Sequence, residues 1–92
     1  MDAPTLAPDK LEITSVIRDL LAGPGKLGSR AQELDTDTDL YQEGLTSYGS
    51  VGVLLGLEDA FDIEFPDAVV TRRLFSSIDN LKAAVETALA AH

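Results

Sequence analysis

Apolar residues recur at helical spacing in three separate runs of this 92-residue chain, and that periodicity constrains its fold more than any other feature. The first run is Leu11, Ile13, Ile17, Leu20 and Leu21, with Val16 at its edge. Asp9 with Glu12 three residues later fits a capping box, and Gly23-Pro24 stops the run, which predicts a helix over 9–22. The second spans 47–62, where Leu54, Leu57 and Phe61 share one side at about 100° per residue. Val53 lies at one edge of that stripe, and Val51 and Leu55 lie at the other, partly exposed edge. The third follows Ser77, an N-cap before Ile78, Leu81, Val85 and either Ala88 or Leu89. Between the last two, Ile63 and Phe65 alternate with acids, and Pro66 biases Phe65 away from helix. A short helical segment over 67–73 is expected there, with Val69, Val70 and Leu74 inward. With no strand pattern, no internal repeat and no domain boundary, the chain reads as one all-α domain over 1–92. It is a four-helix bundle of three long helices and one short, with 1–8 as a disordered lead.

A domain of this size buries only roughly 60% of its unfolded surface. Aromatics are 5% of residues and Trp and Cys are absent, so the core must be aliphatic. Without cysteine there is no disulfide framework and no thiolate metal site, and any thiol chemistry must come from an added cofactor. His92 stands alone at the end of the sequence, and no Ser/His/Asp set can be assembled on a helix face. Glu58-Asp59 reads as an exposed, solvated pair, so no enzyme is expected. The N-terminal residues lack a basic n-region and an apolar run, and no stretch approaches a membrane span, which predicts a cytoplasmic protein. Seven basic residues against sixteen acidic ones give a formal net charge of −9. That charge repels nucleic acid and anionic membrane and suits basic protein partners, unless it serves solubility alone.

Residues 23–46 lose the helical period, with apolar anchors only at Leu27, Leu34, Leu40, Tyr41 and Leu45. A loop of about two dozen residues is unusual in so small a domain, and such loops tend to be functional. Within it, Asp35-Thr36-Asp37-Thr38-Asp39 has the alternating carboxylates that begin an EF-hand. Leu40 then stands where the turn needs Gly, and Thr46 where a bidentate Glu is required, so the stretch reads as a solvated acidic turn and no metal is assigned.

The loop ends in Gly44-Leu45-Thr46-Ser47-Tyr48. An isolated serine at a helix start is ordinarily an N-cap, but here Thr46 can cap, which places Ser47 at the first helical position with its hydroxyl free. Along the same helix Gly49, Gly52 and Gly56 fall within about 60° of one another. Three such glycines forgo about 3 kcal/mol of helix propensity. Either this is a tolerated, frayed helix or it is a smooth strip, flanked by Tyr48, Leu55 and Asp59, that lets a partner approach. On the second reading, alanine at Gly52 and Gly56 should stabilise the fold and weaken the partner.

In order and spacing these residues resemble the acyl carrier protein family, whose members are also called thiolation or peptidyl carrier domains. The resemblance runs from Leu11 to Leu89. It is carried by an acidic loop ending in Gly44-Leu45-Thr46-Ser47, then Val51, Leu54, Leu57, Glu58, Phe61 and Ile63, then Phe65-Pro66-Asp67, and finally Ser77-Ile78 with Leu81. It implies an acyl-carrier-like bundle in which a separate phosphopantetheinyl transferase esterifies Ser47 with 4′-phosphopantetheine from coenzyme A. The arm's thiol would hold cargo as a thioester, and the missing cysteines then make sense. A helix N-terminus, with its unpaired N–H groups and partial positive charge, suits such a phosphodiester.

Two departures bear on partners. The family most often has Asp before the serine, where it helps bind the transferase's magnesium, and Thr46 supplies no carboxylate. Carriers of fatty-acid synthesis place acids where Gly49 and Gly52 stand here, although Glu58 and Asp59 remain for basic partners lower on the helix. Thr46, the aromatic Tyr48 and the glycine-smoothed helix are similar to free-standing carriers served by amino acid:carrier protein ligases. The expected cargo is therefore an amino acid, loaded by such a ligase and passed to a downstream acceptor enzyme by a monomeric carrier. The partner surface expected is Thr46, Tyr48, Gly49, Val51, Gly52, Leu55, Gly56, Glu58 and Asp59. The alternatives are a fatty-acid or polyketide acyl carrier, or an unmodified acidic helical module that binds a basic partner.

Overall fold

The structure, a computed structural model, describes residues 10–91; the expected lead and Asp9, on which the expected capping box rests, lie outside the described residues. Three α-helices carry the fold, α1 (Lys10–Ala22), α2 (Ser47–Phe61) and α3 (Ile78–Ala90), and two short 3₁₀ helices, Gly28–Gln32 and Arg72–Ser76, lie between them. No strand occurs among the described residues. The expected all-helical architecture of three long helices and one short is thus present. The short element is displaced: residues 67–70 form only a turn, and the helix begins at Arg72. Leu74 is buried as expected, but Val69 is exposed and Val70 half-buried, and the second apolar anchor is Phe75 instead.

Helix α1 buries Ile13, Ile17 and Leu21, one per turn, with Val16 and Leu20 packed beside them. Helix α3 starts on the Ser77 cap, whose Oγ accepts from the Asn80 N–H at 3.1 Å, and buries Ile78, Leu81 and Val85. At the end of α2, Asp62 follows the helix in the left-handed conformation (φ 54°). Its N–H and that of Ile63 both bond to the Glu58 carbonyl, the latter at 3.0 Å. The Glu58 carboxylate accepts from the Phe65 N–H at 2.9 Å, so this side chain closes the turn that carries Ile63 and Phe65 into the core.

The segment 23–46 is folded against the helices along its length. Leu27, Leu40 and Leu45 are buried and Leu34 and Tyr41 half-buried, as the anchor pattern predicts, and the 3₁₀ turn adds Ala31. Arg18 of α1 donates to the carbonyls of Ala31 and Leu34 at 2.9 and 2.8 Å, which holds the first half. The Leu40 N–H donates to the Ser76 carbonyl at 2.8 Å and the Asp79 N–H to that of Thr36 at 2.9 Å, which ties the second half to the start of α3. The acidic stretch is a hydrogen-bonded turn in which the Asp39 carboxylate accepts from the Tyr41 N–H at 2.9 Å.

The face that α2 buries differs from the sequence expectation. Gly49, Ser50, Val53 and Leu57 are buried, whereas Leu54 and Phe61 are only half-buried. At about 100° per residue the core face is rotated by about 60° from the stripe of Leu54, Leu57 and Phe61, towards the glycines. A Cβ on Gly49 would lie 3.0 Å from the Gly25 carbonyl oxygen, one on Gly52 2.9 Å from Pro24 Cβ, and one on Gly56 2.5 Å from Leu20 Cδ2. The glycines therefore admit the end of α1 and the Pro24-Gly25 turn, so the close approach they allow is used within the fold. Apolar periodicity misses this because a glycine adds nothing to the hydrophobic count, yet it allows the closest packing.

Candidate functional site

Leu45, buried, fixes the last residue of the loop, and Gly44 before it (φ 110°) makes the turn into α2 in a conformation that side chains disfavour. Thr46 follows in extended conformation as the N-cap of α2, its Oγ1 accepting from the Gly49 N–H at 3.0 Å. The Thr46 carbonyl takes both the N–H and the hydroxyl of Ser50, at 2.8 and 2.9 Å. The Ser47 side chain takes no part in this capping. Its side chain is exposed at the first helical position, and among the described residues its hydroxyl has no hydrogen-bond partner. The Ser47 and Tyr48 N–H groups likewise lack an acceptor among the described residues, as expected in a first helical turn.

From Ser47 an apolar stripe runs along the outer face of α2, with Tyr48 78%, Val51 53% and Leu55 59% exposed. These residues lie opposite Val53 and Leu57, so their exposure follows from the rotation of the core face. The Lys26 ammonium lies 5.7 Å from the Tyr48 ring centre, and Asp59 is exposed on the same side.

On the other flank Ser47 borders an open groove of about 270 Å³ between the first turns of α2 and the Arg72–Ser76 helix, lined also by Val51, Leu54, Val70 and Arg72. Tyr41 forms part of its wall. Its hydroxyl donates to the Arg72 carbonyl at 2.7 Å, and the Arg72 guanidinium stacks 4.0 Å from its ring centre. Burial raises the Tyr41 pKa, against the lowering effect of the Arg72 charge. A larger apolar groove, about 550 Å³, runs between residues 64–69 and α3 and shares no residue with this site.

The chain matches the family described as "Phosphopantetheine attachment site" over residues 15–85. It belongs to that family. It is 40% identical over 77 residues to the aminoacyl carrier protein of Agrobacterium fabrum (strain C58), covering 84% of this chain and 93% of that one. It is 30% identical over 78 residues to aminoacyl carrier protein 1 of Bradyrhizobium diazoefficiens, covering 85% and 87%. Among solved structures it is similar to a carrier protein from Agrobacterium tumefaciens. That carrier was crystallised with AMP and an engineered Bradyrhizobium japonicum glycine:[carrier protein] ligase; the TM-score is 0.75 at 41% identity, over 79% of this chain and 97% of that one. A solution structure from the same organism aligns with TM-score 0.68 at 40% identity, over 85% and 94%.

As a member of the phosphopantetheine attachment family the chain is a carrier and not a catalyst, and the group concerned is 4′-phosphopantetheine, bound covalently. The residues present fit such a group: an exposed hydroxyl that the fold does not use, beside unpaired first-turn N–H groups. Of the residues expected to face partners, Thr46, Tyr48, Val51, Leu55 and Asp59 are exposed. Gly49 is buried, and Gly52, Gly56 and Glu58 are half-buried, the two glycines against Pro24 and Leu20 and the Glu58 carboxylate engaged at Phe65. Tyr41 and Arg72 were missed by sequence reasoning. They stand 31 positions apart, and only the paired Tyr41 and Arg72 contacts across the loop reveal them.

No helix among the described residues is long and apolar enough to cross a membrane.

Proposed function

We propose that this chain is an aminoacyl carrier protein in which Ser47 is the attachment residue for 4′-phosphopantetheine. The observation that carries the reading is the division of labour at the start of α2: Thr46 caps the helix, and Ser47 keeps an exposed, unpartnered hydroxyl. A phosphopantetheinyl transferase would move phosphopantetheine from coenzyme A to that hydroxyl, breaking the pyrophosphate bond and releasing adenosine 3′,5′-bisphosphate, and the arm's thiol would hold the carboxyl carbon of an amino acid as a thioester. The amino acid as cargo is supported by the names of both carrier relatives and by the ligase bound to the structural neighbour. The exposed stripe of Tyr48, Val51 and Leu55, with Thr46 and Asp59 at its borders, is the surface offered to a loading ligase and an acceptor enzyme. One carrier unit acting in the cytoplasm, where coenzyme A is at hand, accommodates all of these partners.

Intact mass tests the attachment. Co-production with a broad-specificity transferase should add one phosphopantetheine to the wild type and none to Ser47→Ala. Incubating the holo protein with ATP, an amino acid:carrier protein ligase and single amino acids should then add the mass of one aminoacyl group. Loading with fatty acyl or polyketide units instead, by their own enzymes, would overturn the cargo assignment and leave Ser47 in place.

A further inference from the structure

Lys26 stands in the left-handed conformation (φ 65°), which favours glycine, in the turn that leaves α1. Its backbone is held there, since the Lys26 N–H donates to the Gly23 carbonyl and the Leu27 N–H to that of Leu21, both at 2.9 Å. The turn itself would be better served by glycine, so the lysine is not explained by folding. Its side chain supplies a reason. Lys26 is exposed, its ammonium lies 5.7 Å from the Tyr48 ring centre, and no carboxylate pairs with it among the described residues. Contact with the ring thus holds an unpaired cation at the Ser47 end of the exposed apolar row, in a chain of net charge −9.

The other end of the row carries the opposite sign. Asp59 is exposed and without a paired cation among the described residues. At 1.5 Å and 100° per residue it lies about 16 Å beyond Tyr48 along α2 and within about 20° of it around the axis. Between Glu43 and Glu58 the sequence has no charged residue, so nothing along the row masks these two ends. The helix dipole runs in the same sense, positive at Ser47 and negative beyond Phe61, where Asp62 is also exposed.

We propose that Lys26, Tyr48, Val51, Leu55 and Asp59 form one polarised docking surface, and that the loading ligase opposes it with a carboxylate at Lys26, apolar side chains along the row and a cation at Asp59. The inference rests on the aminoacyl carrier reading. Attraction of a basic partner to an acidic carrier does not describe this contact, because the group complementary to Lys26 is an acid. Opposite charges at the two ends also give the contact a direction. A ligase turned end for end would set like charges against each other, so the matched orientation presents Ser47 to the same part of the ligase at every encounter. Lys26 is therefore a positioning residue that acts through docking and not on the thioester.

The test measures loading of holo protein by a glycine:[carrier protein] ligase with ATP and glycine, as kcat and KM for the carrier. Lys26→Gln should raise KM about two- to fivefold, the range for one exposed charge pair, and leave kcat unchanged. Lys26→Glu should raise KM further, since an acid then faces an acid. Lys26→Glu combined with Asp59→Lys, which reverses the polarity, should give the highest KM of the set. Added salt should raise KM more for wild type than for Lys26→Gln. Lys26→Gly suits the left-handed backbone, so it should keep or raise the urea midpoint while raising KM as Lys26→Gln does, which separates docking from folding. A wild type left unloaded overturns the aminoacyl reading and this surface with it. A wild type that is loaded, with equal KM for Lys26→Gln and Lys26→Glu, overturns the surface alone, as does a lower KM for Lys26→Glu, which would place a base opposite residue 26. An effect of Lys26→Glu on the rate of phosphopantetheine attachment, with none on loading, overturns the ligase as the occupant and assigns the surface to the transferase.

Discussion

Thr46 and Ser47 divide between them two tasks that a single serine would have to combine. A hydroxyl that caps a helix is held by its own backbone, and esterifying it would release the cap; here the cap is on the residue before. Thr46→Val should therefore cost about 1 kcal/mol of stability by urea unfolding, with the hydroxyl of Ser47 still in place. Thr46→Asp should keep the cap and the stability, since aspartate caps as well, while raising the rate at which a magnesium-dependent transferase modifies Ser47, measured by mass against time. At this scale the site was legible because its two residues adjoin each other and stand at the boundary of a helical period. Tyr41 and Arg72 were not, because no local period relates a loop tyrosine to an arginine in a 3₁₀ helix. Ala31 and Phe75, both buried, escaped for the same reason.

The informative element is α2, whose three glycines look like a weakness in sequence and prove to be a close contact. The sequence alone predicts that alanine at Gly52 and Gly56 stabilises the helix; the packing reverses that sign for Gly52. Its added methyl would meet the rigid Pro24 ring at 2.9 Å. Gly52→Ala should lower stability by about 1 kcal/mol, an overpacking cost of 1–3 kcal/mol less about 1 kcal/mol of propensity. Gly25→Ala should be worse, about 3 kcal/mol, because its Cβ would lie 2.7 Å from the Leu21 carbonyl oxygen, which cannot swing away. Gly56→Ala meets only the flexible end of Leu20 and should be the mildest of the three; urea midpoints of the set give the ranking. The boundaries of all three long helices were within reach of periodicity and capping signals. The rotation of α2 was not, because it is decided by how near α1 can come.

For the whole molecule, the segment between α1 and α2 acts as a brace from the first helix to the third. Arg18 holds one half and the Leu40 and Asp79 amides hold the other, so the position of Ser47 is referred to α3 as well as to α2. Arg18→Met should leave two half-buried carbonyls without their donor and cost about 1–3 kcal/mol, visible as a lower Tm and as faster hydrogen exchange in residues 31–36. The formal net charge of −9 also works against compactness, so moderate salt should raise the Tm of wild type by screening that repulsion. The exposed stripe has a further consequence. Tyr48, Val51 and Leu55 form one short row on one helix beside the proposed attachment residue, with space for a single visitor. A loading enzyme and an acceptor that both read this row must take turns, and the interval between them is set by how soon the first lets go. Tight grip by either would stall the traffic, so a small, loosely held contact is the form of recognition that keeps such a shuttle moving.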